Sequence, residues 1–405
     1  MSTLTIWGRE FRKISAIALA LLVGLGATTI GGLGTAGAAK SKVKAPYVIG
    51  AIGTLTGTKS GDYGGFPLAL TAWVDATNAH GGISGHKVKL ISLDDQGNPS
   101  LGLQDAQQLV QQDHVIAVMG TSDVSTAWGP YLQQQGIPVI GGSSANGPAN
   151  DPLYFTTGAT FTPLVYGSLA AAAQAGGTKI GIVYCTEAAV CASEVPIVTQ
   201  FGSQVGLKEV YSDGAAIGAS NYTSYCIAAQ QAGANVLDVV LNGTSIVTLY
   251  QNCASQGYFP IFAGSGPQAG STLSTGMPAN STSVIAESTF PWFLHSTPAT
   301  EAYYAALKKY VPSIIGSTNF NPSASEGWVA GAAFGAAAKN LGSRPTARGV
   351  IHGLYTLRNF TLGGLIGPTT YIQNQTTKNN TIFVVELHNG TYSAPDGMKT
   401  LTQPT

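Results

Sequence analysis

The chain has 405 residues, of which only 9% are charged, and 19 Lys+Arg balance 19 Asp+Glu to a formal net charge of zero. That leaves no electrostatic footprint for a phosphate backbone and excludes nucleic acid as a partner. The length allows two domains of ordinary size, and Ser, Thr, Asn, Gln and Gly must solvate the surface, as suits a medium in which carboxylates are partly protonated.

Residues 1–39 read as a removable leader. Arg9, Arg12 and Lys13 give a positive start, Ile14 to Leu25 an apolar core, and Ala36-Gly37-Ala38 or Gly37-Ala38-Ala39 a small-residue cleavage site. A retained anchor is the rival reading, since the apolar stretch can be read on to Ile30, but Gly24, Gly26, Gly31 and Gly32 dilute it. The chain is therefore expected to be exported. No cysteine precedes Cys185, so no thiol at the cleavage site can carry a lipid.

Tyr47 to Ile52 reads as a buried strand opening into a loop at Thr54-Leu55-Thr56-Gly57. Phe66, Leu70, Trp73 and Val74 recur at helical spacing and predict a helix over 64–79. Asn78-Ala79-His80-Gly81-Gly82-Ile83-Ser84-Gly85-His86 then reads as a helix end and glycine turn before a strand to Leu93. Asp94 and Asp95 follow. Acid/base work is one reading of the pair, but adjacent strand residues point to opposite faces, so one is expected to cap the next helix and the other to face a loop or solvent. Asn98 and Pro99 open a second helix that should turn Leu103, Ala106, Leu109 and Val110 inward. Val115 to Met119 and Ile137 to Ile140 fit strands covered on both faces.

The unit then repeats. Helices are expected at 162–175, 191–205, 221–232 and 245–256, alternating with strands at 179–184, 208–213, 236–241 and 260–263. Later come a strand near 283–287, helices near 298–310, 324–341 and 345–355, and strands at 369–373 and 381–387. These late elements must join lobes already built, so the chain is expected to cross between them more than once. Such alternation is the signature of doubly wound α/β architecture.

Four cysteines in an exported chain suggest two disulfides. Of three connectivities, Cys185–Cys191 with Cys226–Cys253 is the simplest. A metal site is the rival, without a CxxC or neighbouring His pair to support it. The chain also lacks a nucleophile elbow, HExxH and a phosphate-binding GxxxxGK[ST]. Gly264 to Ala269 matches GxGxxA, but Pro267 inside it favours a strand-end turn. No enzyme activity, cofactor or metal is expected.

Taken together, Ile49-Gly50-Ala51-Ile52 with Leu55-Thr56-Gly57, the Asn78 to Gly85 turn, Asp94-Asp95 with Pro99, and Gly136-Ile137-Pro138-Val139-Ile140 resemble the leucine/isoleucine/valine-binding family of ABC-transporter solute-binding proteins (periplasmic binding protein type I). The resemblance runs from about residue 46 to 390. It implies two Rossmann-like doubly wound lobes joined by a three-stranded hinge. The N-terminal lobe would take 46–159 plus about 286–378, and the C-terminal lobe 160–285 plus about 379–400. It also implies ligand positions: Ser122, then Ser125, in the loop after Val115 to Met119; Ser143 and Ser144 after Ile140; Tyr63 as an aromatic closing over the ligand; and Thr160, near a place where the family often has an acid. Helix capping is the plainer role for the serines, and the two roles coexist. Trp128, Phe161, Trp292 and Trp328 are further aromatic candidates, each more often core than pocket.

The departures bear on the ligand. Amino-acid-binding members carry an acid after the strand that here ends Ile261-Phe262-Ala263, yet this chain continues Gly264-Ser265-Gly266-Pro267. The loop that usually brings an aromatic residue is Cys185 to Cys191. Either Glu187 or Asp123 substitutes for the missing acid, or the ligand is a small carboxylate, amide or aromatic acid without an amine. The expectation is an exported, monomeric receptor that closes on a small polar solute and delivers it to an ABC permease. The alternatives are a sensor subunit for a membrane signalling protein and a secreted hydrolase.

Overall fold

The computed structural model describes residues 44–57, 60–122, 124–142, 151–187, 189–266 and 270–404. The leader positions 1–39 lie outside these. The first half is built from β1 (Tyr47–Gly53), α1 (Ser60–Tyr63), α2 (Gly65–Ala79), β2 (Val88–Asp94), α3 (Pro99–Gln111), β3 (Val118–Thr121), α4 (Ser125–Gln134), β4 (Val139–Ile140) and β5 (Tyr154–Phe155). The second contains α5 (Phe161–Gln174), β6 (Lys179–Cys185), α6 (Ala189–Ala192), α7 (Val195–Val205), β7 (Lys208–Ala215), α8 (Thr223–Gln231), β8 (Val236–Val240), α9 (Gly243–Ser255), β9 (Ile261–Ser265), α10 (Ser271–Gly276) and β10 (Thr282–Glu287). Helices α11 (Pro298–Tyr310), α12 (Pro322–Ala338) and α13 (Ala347–Thr356) then share a core with α2 and β1. The chain ends with β11 (Thr381–His388), β12 (Thr391–Ser393) and β13 (Leu401–Thr402).

The two sheets repeat one order. The first runs β2-β1-β3-β4-β5, all parallel. In the second, β7-β6-β8-β9-β10 has the same sequence of neighbours, also parallel, and β11 and β12 extend its far edge antiparallel. Parallel pairing needs a crossover for every step, so helices cover both faces and the strands become continuously apolar. In β1, Ile49 and Ala51 face α2 and α12, whereas Ile52 faces the core under α3 and α4. Trp73 of α2 lies against the glycines of α12; a β-carbon on Gly331 would stand 2.4 Å from its ring.

The helix–strand turn after α2 works as its glycines predict. Gly82 has φ 80°, and a β-carbon there would approach the His86 carbonyl oxygen to 2.0 Å, so only glycine fits. Asn98 caps α3 by accepting from Ser100 and Leu101 N–H. The inward face of α3 differs from expectation: Gly102 and Asp105 are buried with Ala106 and Leu109, while Leu103 and Val110 are half-buried. The cause is Trp128 of α4, whose ring leaves 2.7 Å for a β-carbon on Gly102 and turns the helix toward it. Residues 369–373 do not form the expected strand. Thr369 makes an isolated bridge with Phe360, and Tyr371 donates its hydroxyl proton to Thr156 O at 3.0 Å.

Both cysteine pairs are bonded, Cys185 to Cys191 and Cys226 to Cys253. The second ties α8 to α9 across 27 positions. Among the described residues the ion pair His295–Glu301, at 3.4 Å and exposed, contributes little. Acids are buried instead. Burial raises Asp238, to about 7, and Glu194, which the Asp238 charge raises further; burial, then Asp95 and Asp94, raise Asp105 to about 6.

These acids bind protons more tightly in the folded chain than in the unfolded one. Stability is therefore full near pH 4 and falls as pH rises through about 7. The expected outcome is a melting temperature several degrees lower at pH 8 than at pH 4.5; a rising profile would contradict the burial of these acids. Replacing Cys226 and Cys253 by alanine should cost about 3.5 kcal/mol in urea unfolding, from the loop-closure entropy returned to the unfolded chain.

Candidate functional site

In open parallel sheets the crevice forms beyond the carboxyl ends of the strands where the order reverses, here between β1 and β3 and again between β6 and β8. Loops from both places approach one another. A β-carbon on Gly243, at the start of α9, would stand 3.7 Å from Asp62 Oδ1 of α1, and one on Gly270 would stand 3.4 Å from Asn321 Cβ. Asn242 caps α9 at Ser245 N–H, and the start of that helix, the positive end of its dipole, lies beside the Asp62 carboxylate.

The first wall is fixed by short polar contacts. Thr54, fully buried, donates its hydroxyl to Asp95 Oδ1 at 2.7 Å, and Gly97 N–H donates to the same oxygen at 2.9 Å. Asp94 accepts from Leu55, Thr56 and Gln96 N–H and from the Thr56 hydroxyl. Burial alone would raise Asp94, but these bonds, led by Thr56, hold its carboxyl below the usual range. Both acids therefore bolt the β1 loop to the end of β2, and Asn98 caps α3 in place of either. Asn321 caps α12 and donates from Nδ2 to Gly61 O at 2.6 Å and to Thr318 O at 3.2 Å, which pins α1 and Tyr63.

Ser122 is fully buried at the end of β3, where its Oγ accepts from Val124 N–H at 3.1 Å. Ser125, also buried, hydrogen-bonds the Tyr154 phenol. Tyr63 is 6% exposed on α1. Thr160 N–H donates to Asn379 O at 3.0 Å, which places it on a crossing between halves. Ser143, Ser144 and Asp123 lie outside the described residues. Glu187 is exposed and accepts from Ile217 N–H at 2.7 Å. Trp128, Trp292 and Trp328 are core, and Phe161 is half-buried.

Three chain segments cross between the halves side by side. Ala159 N–H donates to Ser288 O at 3.2 Å, and Thr160 joins the first crossing to Asn379 of the third. Beside them Ser288 Oγ donates to Glu326 Oε1 at 2.9 Å, and the Thr289 and Ser325 hydroxyls pair at 2.8 Å. Sequence reasoning missed Asp62, Asn321, Glu287 and Glu326. The Asn321-Pro322 step repeats the Asn98-Pro99 cap signature and was a readable signal for the first contact of α12. Among the described residues no group of three His, Cys, Asp or Glu could hold a metal. The strand-end loops offer hydroxyls, N–H groups and carboxyls from both halves, which is a chemistry of binding.

A family model described as periplasmic binding protein matches residues 46–391. A 76-residue stretch is 37% identical to an amino acid binding protein of Pseudomonas aeruginosa, covering 19% of this chain and 20% of that one, so the chain spans about a fifth of the curated relative's length. A possible leucine/isoleucine/valine-binding protein from Rhodopirellula baltica superposes with a TM-score of 0.73 at 17% identity, over 87% of this chain and 96% of that one. A branched-chain amino acid transporter substrate-binding protein from Streptococcus pneumoniae, solved with isoleucine, gives 0.71 at 15% identity over 86% and 98%. At these identities the structures share the fold.

Replacing Asn321 by alanine removes the α12 cap and the donor to Gly61 O, and should lower unfolding free energy by about 2 kcal/mol in urea titration. Aspartate keeps the cap acceptor but loses the donor, so Asn321→Asp should recover about half of that loss.

Proposed function

The chain belongs to the periplasmic binding protein family, and we propose that it is the extracytoplasmic solute receptor of an ABC importer, closing on a small polar organic molecule such as a branched-chain or other amino acid. The observation that carries this reading is the paired crevice. Two sheets of identical order present their strand ends to one another, loops from both halves meet at Asp62–Gly243 and Gly270–Asn321, and three adjacent crossings join the halves.

In this reading residues 46–159 with about 286–378 move as one lobe, and 160–285 with about 379–400 as the other. Bending at residues 156–160, 288–290 and 379–380 opens the crevice, and solute shifts the population toward the closed form. Ser122 and the N–H groups of its turn receive the polar end of the solute, with Ser125, Ser143, Ser144, Tyr63 and Thr160 around it. The closed surface docks on the membrane permease. This reading takes residues 1–39 as an export leader. Among the described residues no helix is long and apolar enough to cross a membrane.

A cognate solute at a hundred times its dissociation constant stabilises the closed protein by about 2.7 kcal/mol. The expected outcome is a melting temperature raised by several degrees with at least one compound from a panel of amino acids, amides and small organic acids, together with a smaller radius of gyration in X-ray scattering. A flat response across that panel counts against the receptor reading.

A further inference from the structure

Helices α2, α11 and α12 frame a depression that the crevice does not use. Its centre is lined by Trp73 and Thr77 of α2, Gly82, Ala302 of α11 and Trp328 of α12. From this centre one recess, of about 510 Å³, reaches His80 and Lys309, and a second, of about 520 Å³, reaches Gly335 and Lys339. Gly82 stands in the turn before β2. The depression therefore lies at the amino ends of the strands, opposite the end at which the crevice forms.

Small side chains keep it open. Ala302, Ala305 and Ala306 put one face of α11 into the wall, and Ala332, Gly335 and Ala336 do the same for α12, both at helical spacing. Trp73 is seated against α12, where β-carbons on Gly331 and Gly335 would stand 2.4 and 2.9 Å from its ring. The indoles of Trp73 and Trp328 keep 7% and 8% of their surface uncovered there, which makes the interior apolar.

The rim carries one sign of charge. Among the described residues that line the depression, the charged or chargeable nitrogens are those of His80, Lys309 and Lys339, and there is no carboxyl. The acids of the same three helices lie elsewhere. Glu301 of α11 pairs with His295 at 3.4 Å, Glu326 of α12 accepts from Ser288 Oγ, and Asp75 of α2 is outside the lining. Two further ammonium groups stand close by: Lys44 Nζ donates to Ser84 O at 2.7 Å, and Lys87 Nζ donates to Asn78 O. Lysine stems can lie along an apolar wall and leave the ammonium at its edge. A mostly apolar recess of this size with a few placed polar groups has the make-up of a small-molecule site.

We infer that this depression is a second binding site, separate from the crevice, for an amphiphilic carboxylate with a linear apolar tail. The tail crosses Ala302 between Trp73 and Trp328, and the carboxylate meets the ammonium of Lys309 or Lys339 at the end of a recess. Binding here needs no closure of the two halves, so the inference goes beyond the receptor reading and does not rest on it.

The test is titration of the full-length protein with 10-bromodecanoate below its micelle concentration, at about pH 8 where the carboxyl is ionised. Bromine quenches an indole that it touches. The expected result is saturable quenching of tryptophan emission, with the neutral 10-bromodecanol binding at least fivefold more weakly. Replacing both Lys309 and Lys339 by alanine should bring the carboxylate down to the level of the alcohol. Ala302 is exposed, so Ala302→Phe fills the depression without entering the core, and it should weaken quenching at least tenfold. If that variant does not fold, the comparison of carboxylate with alcohol on the wild type still decides. Quenching that does not saturate, equal affinity for the alcohol, or an Ala302→Phe variant within twofold of wild type overturns the inference.

Discussion

The backbone bonds from Ala159 N–H to Ser288 O and from Thr160 N–H to Asn379 O set where one sheet sits against the other. Each sheet has helices on both faces and packs largely within its own clusters, with Phe383 of β11 reaching into the core of the first half. What makes a crevice is that the crossings are laid side by side at one edge. A single crossing would act as a swivel, whereas adjacent bonded strands restrict the motion to a bend about one line. The strand ends on either side then approach along a defined path, which is why Asp62 meets the first turn of α9 and Asn321 meets Gly270.

The repeated unit was legible because parallel strands buried on both faces leave continuous apolar runs, and because helix caps announce themselves. Asn98-Pro99, the glycine turn at 81–85 and the alternation from Tyr47 to Ile261 all translate directly into elements. Boundaries moved by a few residues at most. Failures came where a neighbour distant in sequence decides the outcome. Trp128 rotates α3 so that Asp105 goes inward, and the segment at 369–373 bonds to Thr156 and Phe360 without entering a ladder. The candidate positions Ser122, Tyr63 and Thr160 come from local pattern and resemblance and stand as proposals, whereas the approach of Glu326 to the β10 end could not be read at all, because it joins α12 to Ser288 across 38 positions.

The scarcity of charge takes on a second meaning in the folded chain. Among the described residues, ion pairing is confined to one exposed contact, while Asp105, Glu194, Asp238 and Glu287 sit away from water with raised affinity for protons. A surface solvated by neutral polar groups changes little with acidity, and the buried acids favour the fold as acidity increases. Both properties suit an acidic medium.

Helix α12 links the crevice to the back of the first half. Its 17 residues span about 25 Å, with Asn321 and Glu326 at one end and Gly331 and Gly335 receiving the Trp73 ring further along. Such a rod acts as a lever clamped at the rear. A methyl group added at Gly331 would pry the beam outward by forcing Trp73 aside, and its tip would swing beneath the crossings. The buried packing behind the first sheet therefore sets where the near end of that rod comes to rest.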